Sequence, residues 1–420
     1  MPPDLHADAV VLGGGPAGAA AAATLAKAGK RVVLLEKEPS PTYKVGESLL
    51  PHAWHTLERI DALGAVAAAG FQVKRSVQFV TSSGRLSAPF YFDDHSSHPS
   101  SSTWQVDRQR FDGLLLDVAR GHGATIRMGT RATGLRYHDA AVVGVDAVGP
   151  EGAFAVHAPV TVDCTGRAGL ARRQRGWHHP EPRLDRIAVW SYAEGARRDA
   201  GRNEGATTVV SMPDDGWAWW IPMAGDRVSV GVVMRRNALF APSADPSAAL
   251  RHHLMHNPWT AERLANATWV PNAHVTSDYS FRAEHCACDG LVLAGDAFAF
   301  LDPVFSSGVF LALATGEAAA QAAVTALDAG DARAERFASY GAWVCRGIEA
   351  MRALVFSFYD PDFSMGALIR AHPELRGDVT DLLIGDIFRD HTPLLTALRA
   401  HAKLPAPVPY GGVHASRGAA

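Results

Sequence analysis

The sequence predicts an α/β protein, in which a doubly wound parallel-sheet unit is interrupted by a β-rich module and closed by C-terminal helices. Three observations predict it. A short apolar run at 9–12 ends in consecutive glycines and leads into an alanine-rich helical stretch. A second apolar run at 291–294 precedes another alanine-rich stretch, 307–326. Between them, residues 186–235 alternate polar and apolar side chains, which is typical of strands with one buried face.

Composition and charge limit the class of protein. The 420 residues are 47% hydrophobic and 20% charged, with a formal net charge of −3 at pH 7 and four cysteines. The cysteines, at 164, 286, 288 and 345, are too few for a disulfide framework. No Lys/Arg-rich run, export signal or apolar run of about 18 residues is visible. We therefore expect a cytoplasmic enzyme with no nucleic-acid or membrane partner.

The elements of the first half follow in order. Pro16 fits a first helical position, the alanine-rich stretch favours helix as far as Lys27, and Gly29 ends it. Residues 31–35 then form a second buried strand. Farther along we expect a helix over 54–63, a strand-like and turn-rich stretch over 71–106, a helix over 111–120, and strands over 124–136 and 140–148.

The pattern also predicts domain boundaries. Residues 335–402 are mostly helical in pattern, and the Pro- and Gly-rich end of the chain resembles a strap or a loose tail more than a domain. We predict a discontinuous first domain over 1–80, 104–175 and 285–335, a β-rich substrate module over 81–103 and 176–284, a helical region over 336–402, and a tail over 403–420.

The glycines after the first strand form a nucleotide-binding motif. Gly13, Gly15 and Gly18 fit G-x-G-x-x-G, in which the first permits a tight turn, the second admits a pyrophosphate and the third lets helix and strand pack closely. The positive end of the helix around Ala17 then faces the phosphates. Glu36, at the end of the next strand, is placed to accept hydrogen bonds from ribose hydroxyls. A purely structural glycine turn is the alternative.

Later segments distinguish FAD from NAD. Asp296 follows a buried strand and resembles the second FAD fingerprint of the large monooxygenase-like flavoproteins, in which this Asp binds the ribityl chain. Arg108 resembles a third FAD contact of those families, and residues 163–166 resemble the strand end near the adenine. Each alone also fits an ordinary strand-end turn. Together, and in family order, they predict FAD on a Rossmann-like domain of the aromatic-monooxygenase type.

Two further motifs are more specific. Trp217-Ala-Trp219-Trp-Ile-Pro222 matches W-x-W-x-I-P, and the segment 300–308 matches F-x-x-P-x-x-S-x-G. Segments 44–51 and 70–74 contribute to the same resemblance. By these motifs the chain resembles the flavin-dependent halogenases, from about residue 8 to about residue 365.

The resemblance implies a role for the tryptophans. Trp217 and Trp219 are two apart, so on a strand they share one face and Trp220 takes the other. In the family this aromatic wall shields the flavin from the organic substrate. A tryptophan-rich core strand is the structural alternative.

The resemblance also implies a halide site. Backbone amides around Ser307 and Gly308, where a helix begins, would hold chloride or bromide, with Pro303 beside the cofactor. The structural alternative is an ordinary serine N-cap.

Lys74 aligns with the catalytic lysine of the family. In a mostly apolar tunnel a lysine has a depressed pKa, because burial disfavours its charged form. The resemblance implies that Lys74 receives hypohalous acid, by hydrogen bond or as a haloamine, and presents the halogen to the ring. Glu47 is a candidate orienting partner, or alternatively a helix-start acid. As a bare residue, Lys74 would be read as a solvated surface lysine.

The substrate class follows from one departure. Tryptophan-halogenating relatives have a glutamate before the Ser-x-Gly triplet, where this chain has Phe305. The chain thereby resembles the branch that acts on phenols and pyrroles, whose rings are electron-rich. The resemblance implies secondary metabolism, with a small aromatic substrate that is free or held on a carrier protein. No second nucleotide motif is visible, which fits a separate flavin reductase.

Other interpretations stay open. An FAD-dependent aromatic hydroxylase or a flavoprotein reductase uses the same scaffold, and a flavin-binding partner without catalysis is a third possibility. His252 and His256 are four apart on a predicted helix, but no carboxylate or third ligand accompanies them. We therefore predict no metal site.

Overall fold

Two large sheets and a series of helices make up the described part of the chain. Residues 2–214, 216–277 and 280–415 are described in this computed structural model. Its α-helices are Pro16–Lys27, Ala53–Arg59, Leu63–Ala68, Arg108–Gly121, Leu170–Gln174, Arg236–Leu239, Pro246–His256, Pro258–Leu264, Ser307–Asp328, Ala338–Phe358, Met365–Ala371, Arg376–Ile384 and Thr392–His401. Short 3-10 helices are Phe92–Asp94, Pro99–Ser101, Gly166–Ala168, Pro182–Leu184, Gly201–Asn203, Gly295–Ala297, Pro303–Phe305, Ala334–Phe337 and Pro373–Leu375.

A mostly parallel sheet carries the nucleotide motif. Its strands follow in the spatial order Val413–His414, Ala287–Cys288, Leu291–Leu293, Val160–Asp163, Ala9–Leu12, Val32–Leu35 and Thr125–Arg127. Ala287–Cys288 runs antiparallel to Leu291–Leu293, and the other pairs are parallel. Ala9–Leu12 is buried at every position, as in a parallel strand covered on both faces. The predicted α/β class is confirmed.

The second large sheet carries the predicted aromatic wall. Its strands follow in the order Thr268–Trp269, Ile187–Glu194, Arg227–Met234, Trp217–Pro222, Thr207–Ser211, Ser76–Val80 and Phe90–Tyr91, and His274–Thr276 also pairs with Ile187–Glu194. Trp217 and Trp219 pack into one apolar cluster, whereas Trp220 packs into another on the opposite face. The predicted alternation along this strand is confirmed.

Smaller sheets complete the described architecture. One has the order Leu5–His6, Gly152–His157, Ala141–Gly149 and Arg131–His138. A second has the order His178–Pro180, Phe281–Ala283 and Ala299–Phe300, and Gln72–Lys74 pairs with Thr103–Gln105.

Most predicted elements are observed with small shifts at their ends. The first strand and helix are Ala9–Leu12 and Pro16–Lys27, as predicted. The predicted helix 54–63 is instead two short helices. The backbone between them is left-handed at Asp61, with φ of 61°, and this conformation interrupts the helix.

Two segments pair with sheets outside the domains to which we assigned them. The other domain boundaries stay a prediction. Ser76–Val80 falls within the predicted first domain, but it pairs in parallel with Thr207–Ser211 of the second sheet. Val413–His414, within the predicted tail, adds a strand to the first sheet beside Ala287–Cys288. Both pairings join segments more than a hundred residues apart, so no local pattern marks them.

Helix Ser307–Asp328 is long and apolar enough to cross a membrane by length and composition, although we expected no such run. Its most apolar window is 72% buried inside the protein. A Cβ built at Gly316 would lie 2.2 Å from the carbonyl oxygen of Ala17, so this helix packs closely on the first one. These are the properties of a core helix.

Candidate active site

A cavity of about 610 Å³ is lined by residues from both large sheets and the loops beside them. It brings together most of the residues that the sequence predicts for the site: Gly13, Gly15, Ala17, Glu36, Glu47, Arg108, Trp217, Trp219, Asp296, Pro303 and Gly308. Of the other predicted residues, Gly18, Ser307 and Lys74 lie behind this lining.

The three motif glycines differ in what surrounds them. Gly13 has φ of +98°, and a Cβ there would lie 2.4 Å from the carbonyl oxygen of Cys164. A Cβ at Gly18 would lie 1.8 Å from the carbonyl oxygen of Gly13, so only glycine fits between helix and strand. A Cβ at Gly15 would meet no atom within 4 Å, and Gly15 lines the cavity. This open stretch of backbone fits a pyrophosphate.

Glu36 is oriented by backbone amides. Gly14 N donates to one carboxylate oxygen at 2.5 Å, and Glu38 N donates to the other at 2.9 Å. The side chain is 8% exposed and borders the cavity. Each oxygen keeps a lone pair with which it can accept from a ribose hydroxyl.

Charged groups are paired across the cavity wall. Arg108 donates two hydrogen bonds of 3.0 Å to Asp112 and one of 2.9 Å to the carbonyl oxygen of Val45. Burial raises the pKa of Asp296 to about 6, although Arg167 and Arg108 favour its ionised form. A carboxylate set on the wall in this way fits the ribityl hydroxyls of FAD.

The tryptophan wall is held in place by hydrogen bonds and packing. Trp217 Nε1 donates to Tyr359 at 2.9 Å, and Trp219 Nε1 donates to Ser229 at 3.0 Å. The two ring centroids are 5.9 Å apart. A Cβ at Gly231 would lie 2.2 Å from the Trp219 ring, so the ring rests directly on this backbone.

The start of helix Ser307–Asp328 is not an ordinary serine N-cap. Ser306 is left-handed, with φ of 56°, and its side chain makes no capping hydrogen bond. Gly308 lines the cavity, and a Cβ there would approach only Phe300, at 3.8 Å. The first amides of an α-helix have no partner inside the helix. This helix start therefore offers donors beside the cavity that fit a halide.

Glu47 belongs to a network on the cavity wall rather than to Lys74. Its carboxylate accepts from Tyr192 at 2.8 Å, from Ser229 at 3.3 Å and from Tyr43 at 3.4 Å. Burial raises the pKa of Glu47, and these hydrogen bonds oppose the rise. Within the described residues no hydrogen bond joins it to Lys74, so the expected pairing is not formed. Glu47 also lies in a loop and not at a helix start.

Lys74 is buried, and in the part of the chain described it makes no hydrogen bond to a carboxylate. The residue is 2% exposed. Its Nζ donates to Ser48 Oγ at 2.9 Å and to the carbonyl oxygen of Leu49 at 3.1 Å, and it lies 5.5 Å from the centroid of the Phe92 ring. Burial lowers the pKa of Lys74 to about 7. The amine is thus neutral in a large fraction of molecules near pH 7.

Sequence reasoning missed several residues around these groups. Trp190 and Tyr192 are two apart on strand Ile187–Glu194, so the alternation that placed the tryptophan wall also marks them. Ser48 and Thr207 carry no such signal. They are 159 residues apart, and their hydroxyls meet at 2.8 Å.

His252 and His256 are the two histidines at which we considered a metal site and expected none. Their ring centroids are 3.9 Å apart on helix Pro246–His256. Across residues 2–214, 216–277 and 280–415, no group of three or more His, Cys, Asp or Glu side chains is arranged to hold a metal ion.

Comparisons with known proteins support FAD as the cofactor. The sequence profile of a family described as "FAD binding domain" matches residues 6–346. The structure of the flavin-dependent brominase Bmp2 superposes with a TM-score of 0.86 at 28% identity, covering 94% of this chain and 98% of that one.

Curated relatives add the chemistry. The 1H-pyrrole-2-carbonyl-[peptidyl-carrier protein] brominase of Pseudoalteromonas luteoviolacea is 30% identical over 384 residues, which are 91% of this chain and 92% of that protein. The tryptophan 2-halogenase of Chondromyces crocatus is 33% identical over 334 residues. That match covers 77% of this chain and 62% of the relative.

Proposed function

The chain belongs to the flavin-dependent halogenases, FAD-dependent oxidoreductases that halogenate aromatic rings, and from this premise we propose that its substrate is a pyrrole held on a carrier protein. Two observations support the choice of substrate. The pyrrole brominase matches over nearly the whole of both chains, whereas the tryptophan 2-halogenase extends well beyond its match. Phe305, packed against Phe358 with ring centroids 5.9 Å apart, directly precedes Ser306, at the position where the resemblance implies a glutamate in tryptophan-halogenating relatives.

The observation that carries the proposed halogenation chemistry is the burial of Lys74. A lysine amine is a nucleophile only when neutral, and desolvation is one way in which proteins keep it so. Lys74 has a pKa of about 7, because it is buried among neutral groups. Ser48, which accepts its hydrogen bond, lines the cavity. Lys74 is therefore placed one hydrogen bond behind the cavity that fits FAD.

Each group of the cavity has a task in this proposal. Reduced FAD, when bound, supplies with dioxygen the two-electron oxidation that converts a halide into hypohalous acid. The helix start at Ser307 and Gly308 holds the halide. Trp217 and Trp219 keep the organic ring away from the cofactor. Lys74 receives the halogen and presents it to the pyrrole.

In this scheme Glu47 helps to hold the tryptophan wall in place. It accepts from Ser229, and Ser229 in turn accepts from Trp219. Tyr192 donates to the same carboxylate at 2.8 Å. We assign Glu47 as a positioning residue that fixes Trp219, instead of an orienting partner of Lys74.

A separate flavin reductase completes the proposed system. The sequence has one dinucleotide motif, at Gly13–Gly18, and the cavity beside it fits one FAD. Reduced FAD would then arrive from a partner protein. The aromatic ring would arrive on a carrier protein, as the name of the pyrrole brominase states for that relative.

The test combines the purified protein with a flavin reductase, NADH, FAD, and chloride or bromide. Pyrrole-2-carbonyl groups loaded on a carrier protein are compared with free pyrroles and phenols, and products are read by mass spectrometry. We expect halogenated pyrrole on the carrier. Lys74→Ala should lower product by about a thousandfold while FAD reoxidation continues. Lys27→Ala, which removes an exposed lysine paired with Asp61, is the matched control.

Three outcomes would contradict the proposal. A hydroxylated product that forms without halide would identify an aromatic hydroxylase on the same scaffold. Full product formation by Lys74→Ala would show that the Lys74 amine is not needed for halogenation. Halogenation of free phenols alone would keep the family chemistry and overturn the carrier-bound pyrrole.

A further inference from the structure

Ser48 connects the FAD cavity with Lys74. Its Oγ lies 2.9 Å from Lys74 Nζ and 2.8 Å from Thr207 Oγ1. Ser48 and Thr207 both line the cavity, and each is 3% exposed. Lys74 lies directly behind them. These two hydroxyls therefore lie between the cavity lining and the amine.

The hydrogen bond from Gln105 to Thr207 has a fixed direction. Gln105 Nε2 donates to the carbonyl oxygen of Gly205 at 2.9 Å and to Thr207 Oγ1 at 2.8 Å. A carbonyl oxygen only accepts, so the amide nitrogen of Gln105 must face this pair. Thr207 accepts from Gln105, which leaves its own proton available for donation to Ser48, although either hydroxyl of this pair can be the donor. When Thr207 donates to Ser48, the Ser48 proton is free for the cavity or for the neutral amine.

The other partner of Lys74 cannot carry a proton. It is the peptide carbonyl oxygen of Leu49, at 3.1 Å. Among the described residues, Ser48 is thus the one hydrogen-bonded side chain that can exchange a proton with this amine. A hydroxyl both donates and accepts, so it can take one proton and release another in the same step.

We propose that Ser48 is a positioning residue of the halogen transfer, which aims the Lys74 amine and carries the proton that the amine loses. The inference rests on the proposed function. The nitrogen lone pair forms the N–halogen bond while the O–halogen bond of hypohalous acid breaks. The amine proton passes to Ser48 Oγ, and the Ser48 hydroxyl proton passes to the departing oxygen. Water and a haloamine result, and Ser48 is unchanged.

The first test measures halogenated product per FAD reoxidised for Ser48→Ala and Ser48→Thr. Loss of a positioned proton carrier typically costs on the order of a hundredfold or more, so we expect a drop of about this size in Ser48→Ala. The loss should fall on kcat, with KM and FAD reoxidation unchanged. Ser48→Thr keeps the hydroxyl and should restore most of the product.

A neighbouring hydroxyl provides the control. Thr208 is buried on the same strand as Thr207 and accepts from Gln78 Nε2 at 2.9 Å, outside the chain of Gln105, Thr207 and Ser48. Thr207→Val should lower product by a smaller factor than Ser48→Ala, because it removes a link farther from the amine. Thr208→Val should leave product formation at the wild-type level.

The second test follows the protonation of Lys74 by NMR of ¹⁵N-lysine protein loaded with FAD, with Lys74→Met to assign the signal. Ser48 Oγ accepts from the ammonium form, so its removal should lower the pKa of Lys74 further below about 7. The acid limb of product formation should move to lower pH with it. A residue that only fills space would move neither.

The outcomes separate the two proposals. Wild-type coupling together with an unchanged titration in Ser48→Ala would overturn the role of Ser48. A wild-type protein that makes no halogenated product would overturn the proposed function, and the titration would still decide whether Ser48 holds the amine. A coupling defect that Ser48→Thr fails to repair would also count against the proton transfer.

Discussion

The FAD cavity and the space around Lys74 treat buried charge in opposite ways. On the cavity wall Arg108 meets Asp112 through two hydrogen bonds of 3.0 Å, so the guanidinium has a carboxyl partner. Behind the wall, and among the residues that the structure describes, Lys74 donates only to the neutral oxygens of Ser48 and Leu49. The difference shows how one fold keeps one cation permanently charged and sets another close to neutrality.

Two neighbouring residues that both line the cavity make different contacts. Glu47 contacts the network of the tryptophan wall, whereas the next residue, Ser48, contacts Lys74. Successive side chains of an extended segment point to opposite sides. One short stretch of backbone therefore serves both the shield and the amine.

The largest expected effect concerns the uncompensated charge of Lys74. Its pKa is about 7 in the folded protein and 10.5 without the fold, so between these values the unfolded chain binds more protons. The free energy of unfolding should therefore rise with pH over this window, and the penalty should be complete below about pH 7. Relative to Lys74→Met, wild type should gain roughly 3–5 kcal/mol between about pH 6 and about pH 10.

Urea denaturation at a series of pH values measures this difference. Parallel curves for wild type and Lys74→Met would mean that Lys74 is not desolvated. Lys27→Met, at an exposed lysine, should follow wild type across the range.

A second test breaks the compensated pair. Arg108→Leu leaves Asp112, whose side chain is 1% exposed, as a buried carboxylate without its guanidinium. Removing one partner of a buried pair typically costs about 3–5 kcal/mol, and we expect a loss of this size together with weaker FAD binding. The double variant Arg108→Leu/Asp112→Leu should recover part of the stability. Equal stability of the single and double variants would contradict the pairing.

A smaller effect is expected at the tryptophan wall, where Gly231 contacts the ring of Trp219. Gly231→Ala would place a Cβ 2.2 Å from the Trp219 ring, which is itself packed against Trp217. Overpacking of this kind costs about 1–3 kcal/mol, and the displaced ring should lower product per FAD reoxidised. Gly64→Ala is the matched control, since a Cβ there meets no atom within 4 Å. An unchanged melting temperature in Gly231→Ala would show that the wall is loose.

Much of the fold and part of the site could be predicted from local pattern. The helix from Pro16 to Lys27 follows from alanine content, proline at its start and glycine after its end. The tryptophan wall follows from the period of a strand, because Trp217 and Trp219 must share a face. Such features depend on residues within one turn or one strand of each other, so the sequence displays them directly.

The rest depends on contacts that the linear sequence does not display. Ser48 meets Thr207 across 159 residues, and Glu47 meets Ser229 across 182. No hydrogen bond joins Glu47 to Lys74 among the described residues, because closeness along the chain does not fix on which side of the backbone a side chain lies. The parallel pairing of Ser76–Val80 escaped prediction for a related reason, since its partner strand begins only at Thr207.

Strand Trp217–Pro222 is bordered by a hydrogen-bonded strand on each side and has tryptophans on both faces. Its amides should exchange with deuterium only when the whole sheet opens. Such a stiff partition leaves little room for adaptation, because any change of shape disturbs two apolar clusters at once. Directed evolution toward new rings should therefore begin at the short helix Phe92–Asp94, whose Phe92 ring centroid lies 5.5 Å from Lys74 Nζ.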